Sequence, residues 1–197
     1  MRQRLMQGFF ITVFFCGLIV SEAVAKDAPE EILSKLPAQI GEFIAEPVNK
    51  YDESEWGASI GYNSLNGTAV TVYIYDMGVA EIADGLSSDI VRQAKQDAME
   101  EIKETVRSGV YAKYKLNEEK QIQLDIPGGK KLPAFFWSMY YEVVMPEYNM
   151  NFPTHSSAYI TGIKNHIFKI RVSRPVLDEV NEANIDSLIS SLISKII

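Results

Sequence analysis

The chain changes its apolar period in mid-course, and that change restricts the fold more than any other feature. In TAVTVYIYD (68–76) the period is two: Val70, Val72 and Ile74 share one face, and Thr71, Tyr73 and Tyr75 the other. Between Ser87 and Gly109 it becomes helical, with Val91, Ala94, Ala98, Ile102 and Val106 on one side and charges opposite. Period two then returns, until Ile185, Leu188, Ile189, Leu192, Ile193 and Ile196 form a wide apolar helical stripe at the end. Strands interrupted by one helix and closed by another predict an α+β fold. Its sheet is mainly antiparallel and twisted, with one long inserted helix and a C-terminal helix.

Turn chemistry divides the strands. Ser64-Leu65-Asn66-Gly67 lies between apolar runs, and Asn-Gly is a strong hairpin signal because both residues tolerate positive φ. Strands are expected at Phe43–Tyr51, Gly57–Tyr62 and Thr68–Asp76, then at YAKYKL and QIQLDI before the turn Pro127-Gly128-Gly129. Leu132–Met145 carries bulky residues on both faces, which predicts a strand in the middle of the sheet, covered on each side. A second hairpin turns at Lys164-Asn165. Ser87 or Ser88 is placed to cap the long helix, and Gly109 to close it in the left-handed conformation.

The first 25 residues read differently. Arg2 and Arg4 precede an apolar run from Gly8 to Val20, and Ala23-Val24-Ala25 supplies the small residues of a cleavage site. The run is about half the ~20 apolar residues that span a bilayer, so a cleaved signal peptide is expected, with no stable membrane anchor afterwards. The product is periplasmic or secreted. Cys16 is the chain's one cysteine, and bulky Phe15 before it disfavours a lipid-attachment site. Cleavage would leave 172 residues with no cysteine, so burial rather than disulfides must hold the fold. Residues 26–41, with two prolines and several charges, read as a linker with one short helical turn, and 42–197 as a single domain.

Without Arg2, Arg4 and Glu22, the 19 basic and 26 acidic residues become 17 and 25, a net charge of −8. The basic residues are scattered among carboxylates, which argues against nucleic acid and against an anionic membrane surface.

The pattern AYITGIKNHIFKIRV followed by IDSLISSLI, with strand TAVTVYIYD feeding a long helix, resembles the Mog1/PsbP-like proteins. Their domain is a twisted antiparallel sheet flanked by helices. GYNSLNGTAVTVYIYDMG also resembles the start of uncharacterised exported bacterial proteins. The likeness rests on element order over most of the chain after residue 25, and it implies a largely non-catalytic protein. No shared motif carries binding residues across.

Catalytic constellations are sparse. After residue 25 the histidines are His155 and His166, and no G-x-S-x-G elbow occurs. A hydrolase-like enzyme would have to recruit His155, expected in the loop PTHSS, or His166 beside a hairpin tip. Zinc motifs are missing, and no metal or cofactor is expected. The acidic turn Asp52–Gly57 has a calcium-like spacing, but its fifth position is Trp56 and its twelfth is Asn63. Glu118 and Glu119 are adjacent and would point to opposite faces of a strand.

Two candidate binding surfaces remain. Tyr73 and Tyr75 lie on one strand face with Thr71, and Lys169 and Arg171 share a face of the last strand. If those faces coincide, rings and cations form a patch suited to a carboxylate, a glycan or an extended peptide; alternatively, the tyrosines pack beneath a helix and the cations sit at its rim. The other is the apolar loop between Asp76 and Ser87. The expected function is therefore that of an exported, non-catalytic protein binding a protein or a small ligand. The alternatives are the hydrolase above and a host-directed secreted factor.

Overall fold

A computed structural model describes residues 26–176 and 182–197; the expected signal segment, with Cys16, lies outside them. The fold is α+β. In chain order the elements are α1 (Pro29–Ser34), β1 (Gln39–Ile40), β2 (Phe43–Ala45), β3 (Asn49–Lys50), β4 (Ala58–Asn63) and β5 (Ala69–Tyr75). They continue as α2 (Asp89–Arg107), β6 (Tyr111–Ile126), β7 (Lys130–Met145), β8 (Met150–Ile163), β9 (His166–Pro175) and α3 (Glu182–Ile196). One sheet of nine strands runs in the order β1-β2-β4-β5-β9-β8-β7-β6, with β3 also paired to β4, and every pairing is antiparallel.

The sheet is covered on both faces. Val70, Val72 and Ile74 of β5, with Phe168, Ile170 and Val172 of β9, pack against α1 and the apolar stripe of α3. On the opposite face Val91, Ala94, Ala98 and Ile102 of α2 cover Tyr75, Ile167, Ile160 and the inward residues of β7. Among those, Trp137 is 1% exposed.

Several expectations are corrected. The stretch 26–41 is not a free linker: Leu33 is fully buried and Ile32 and Leu36 join the same apolar cluster, because the apolar side of α1 finds the sheet in space. Phe43–Tyr51 is broken into β2 and β3, which pair with opposite ends of β4. YAKYKL and QIQLDI form one strand, β6, interrupted by register shifts at Ala112/Lys115 and Leu116/Glu118, with Lys113 at φ 50°. β7 lies one strand in from the edge, and β5, β9 and β8 hold the centre. The segment PTHSS is part of β8, not a loop.

The two hairpins use different chemistry. At Lys164-Asn165 both residues have positive φ (48° and 64°), the two-residue turn that matches strand twist. At Asn66-Gly67 only Gly67 does, and the Asn66 side chain accepts from the Thr68 N–H at 3.0 Å. The loop 76–88 is pinned rather than free. Gly85 and Gly162 exchange backbone hydrogen bonds at 2.9 Å, Lys164 N–H donates to Asp84 Oδ1 at 2.8 Å, and Ile82 is buried against α2. A Cβ on Gly162 would stand 2.2 Å from the Ala83 carbonyl oxygen, so glycine is required for this close approach. Ser88 begins α2, but its hydroxyl accepts from Ala83 N–H at 2.8 Å and so serves the loop instead of capping the helix. These contacts fix where α2 starts and hence how it lies over the sheet.

Among the described residues no helix is long and apolar enough to cross a membrane.

Candidate functional site

Pairing of β5 with β9 sets Tyr73 opposite Lys169 and Thr71 opposite Arg171, so the tyrosine and cation faces coincide. Alternation along β9 spaces Lys169 and Arg171 by roughly 6.6 Å on this face, two residues of extended chain. Helix α2 partly roofs them. Both readings of the face therefore hold a share: Tyr75 is buried against α2, while Tyr73 and the two cations are half-buried.

The two cations have different partners. Lys169 Nζ lies 4.2 Å from the Tyr73 ring centroid and 5.8 Å from that of Tyr75, and it forms no ion pair among the described residues. Burial holds its pKa below the ordinary lysine value, although the Glu101 carboxylate pulls the other way. Arg171 Nη2 donates to Tyr111 Oη and Tyr141 Oη, both at 2.9 Å, and those two rings stack at 4.1 Å between centroids. Burial works against the Arg171 charge, but the phenol oxygens outweigh it and raise its pKa. Burial lifts the Tyr73 and Tyr75 phenols above the usual tyrosine value, which keeps them neutral donors.

Cavities run beside these side chains. An outer one of about 340 Å³ lies between α2 and β5 and is lined by Tyr51, Trp56, Tyr75, Asp97, Glu101 and Lys169. An inner one of about 160 Å³ is lined by Tyr73, Trp137, Lys169, Arg171, Tyr111 and Glu101. Tyr51, Tyr73, Ala98, Glu101 and Lys169 line both, and Tyr73 and Arg171 also border a third of about 350 Å³ beside Phe152 and Thr154. Two buried donors on the inner cavity's lining residues, Trp137 Nε1 and Arg171 Nε, have no acceptor among the described residues. Buried N–H groups are nearly always paired, which sets these two apart from most buried donors.

Periodicity alone placed Tyr73 and Tyr75 on one strand face and Lys169 and Arg171 on another, and the pairing of β5 with β9 brings those faces together. Periodicity missed Tyr51, Trp56, Glu101, Tyr111 and Trp137, which reach the site from the segment after β3, a short 3₁₀ turn, α2, β6 and β7. Only Glu101 carried a signal, since it precedes inward Ile102 and so borders the apolar stripe of its helix.

Neither histidine is set up as a base. His166 is 2% exposed, its Nδ1 lies 2.8 Å from the Lys164 carbonyl oxygen, and Nε2 has no hydrogen-bond partner among the described residues. His155 makes an edge contact with Tyr140 at 5.8 Å between centroids and no hydrogen bond among the described residues. It lines a cavity of about 370 Å³ on the α3 side of the sheet, with Ser157, Glu118 and Asp186. Glu118 and Glu119 diverge as strand neighbours should, Glu118 to that cavity and Glu119 to an ion pair with Lys95 of α2. Among the described residues no three His, Cys, Asp or Glu side chains converge as a metal site would require.

No family model matches the chain. No curated protein matches it. Among solved structures it is similar to the solution structure of cyanobacterial PsbP (CyanoP) from Synechocystis sp. PCC 6803. That match has 12% identity and a TM-score of 0.45, over 77% of this chain and 82% of that one. A PsbP protein is thus among the structures similar to this chain, as the element order implied.

Proposed function

We propose that the chain is an exported bacterial binding protein without catalytic activity. Its ligand is a small molecule that places a carboxylate in the inner cavity and an apolar body in the outer one. The observation that carries this reading is the lining of one cavity: the Lys169 ammonium has no ion pair among the described residues, and it stands beside Arg171 and Trp137, whose buried Nε and Nε1 have no acceptor among those residues. A carboxylate accepts several such bonds at once, and each charge-assisted bond is worth roughly 1.5–3 kcal/mol in a shielded site. The rings of Tyr51, Trp56 and Tyr75 supply the apolar contact that most small-ligand sites use.

Calorimetric titration and thermal unfolding with aryl and alkyl carboxylates, each against its neutral amide, test the reading. A bound acid at about 100 times its dissociation constant adds roughly 2.7 kcal/mol of stability. Its amide leaves the midpoint unchanged, and Lys169→Gln weakens the acid about tenfold or more. Failure of every acid to bind, or an affinity indifferent to Lys169→Gln, overturns it. Export is tested separately: amino-terminal sequencing of the protein from the cell envelope and the medium is expected to begin at Lys26.

A further inference from the structure

Two residues of opposite charge are shared by the linings of the outer and inner cavities. Glu101 of α2 and Lys169 of β9 line both cavities, one on the helix side and one on the sheet side. Neither is in an ion pair among the described residues, and Glu101 is near enough to oppose in part the burial that lowers the Lys169 pKa. Asp97, one turn before Glu101, adds a second carboxylate to the outer cavity, with its Oδ1 accepting from Gln93 Nε2 at 2.7 Å.

A ligand carrying only a carboxylate satisfies Lys169 but sets its charge beside Glu101. One carrying only an ammonium meets Glu101 but faces Lys169. We infer that the site is built for a free α-amino acid with an aromatic or large apolar side chain, its carboxylate toward Lys169 and the inner donors and its ammonium toward Glu101. An α-amino acid bears both charges on a single carbon, which suits two groups of opposite charge on a shared lining, and its third substituent then lies among Tyr51, Trp56 and Tyr75. Peptides do not meet this demand, because each terminus keeps only one of the two charges at its α-carbon. This inference rests on the carboxylate-binding reading and adds the ammonium half to it.

The test is calorimetric titration of the full, unmodified chain with L-phenylalanine, L-tryptophan, L-leucine and L-methionine, each against its N-acetyl acid and its amide. The expected result is that at least one free amino acid binds about threefold or more tighter than both derivatives, the scale of one partly exposed charge pair. Glu101→Gln narrows the ratio of free to N-acetylated ligand, and Lys169→Gln narrows the ratio of free ligand to amide. If an N-acetyl acid binds as tightly as its parent, or if only other carboxylates bind, the amino-acid inference falls and the carboxylate site stands. If no acid of any kind binds, both fall. The ligand comparison needs no variant, so misfolding of a substituted chain cannot obscure it.

Discussion

At the scale of single residues, Lys169 is where folding and function pull in opposite directions. An ammonium half-buried among tyrosine rings, with no ion pair among the described residues, loses solvation that the cation–π contacts at 4.2 and 5.8 Å offset only in part. Lys169→Met is therefore expected to raise stability by about 1 kcal/mol at neutral pH while abolishing acid binding. Chemical denaturation of both chains measures this, and a clear loss of stability would contradict it. The sign of the pH dependence follows from the lowered pKa. Below the ordinary value of 10.5 the unfolded chain holds the Lys169 proton more tightly, so this residue's contribution to stability grows as pH rises toward 10.5. The advantage of Lys169→Met is expected to shrink over that range.

At the scale of elements, α1 and the β8–β9 hairpin each have a testable role. Leu33 of α1 is 0% exposed, so Leu33→Ala is expected to cost about 2–5 kcal/mol. A cost near zero would restore the linker reading of 26–41. The hairpin buries His166 beneath the pinned loop, where burial lowers its pKa below the ordinary 6.5. The Lys164 carbonyl and Asp76 favour the proton there, while Lys26, paired to Asp76 at 2.8 Å, opposes it. A depressed histidine pKa contributes stability that is complete above 6.5 and lost as pH falls through the folded value. Between about pH 8 and about pH 5 the wild-type unfolding midpoint is expected to fall more steeply than that of His166→Gln. Parallel curves for the two chains would rule the histidine out.

At the scale of the whole molecule, one sheet serves two apolar layers. β9 sends Ile167 toward α2 and Phe168, Ile170 and Val172 toward α1 and α3, so neither layer can dissolve without exposing the other side of the same strand. Unfolding is expected as one transition. In a Trp56→Phe background the remaining Trp137 reports the α2 layer by fluorescence, and far-ultraviolet circular dichroism reports the sheet. The two curves should coincide, and separated midpoints would show that the layers melt independently.

Local chemistry by itself determined the elements near the site: the alternation of β5 and β9, the helical stripe of α2, both hairpins and the end stripe of α3. Those signals are local because side-chain direction repeats every two residues in a strand and every 3.6 in a helix. On the same ground Tyr73, Tyr75, Lys169 and Arg171 could be named together. Tertiary structure alone decided that β5 and β9 are neighbours, although the paired Tyr75 and Ile167 are 92 residues apart in the chain. It also decided that Glu101, Tyr111 and Trp137 surround the same cavity and that α1 belongs to the core. Pairing register and burial depend on which surfaces meet in space, and no periodicity within a segment records its distant partner.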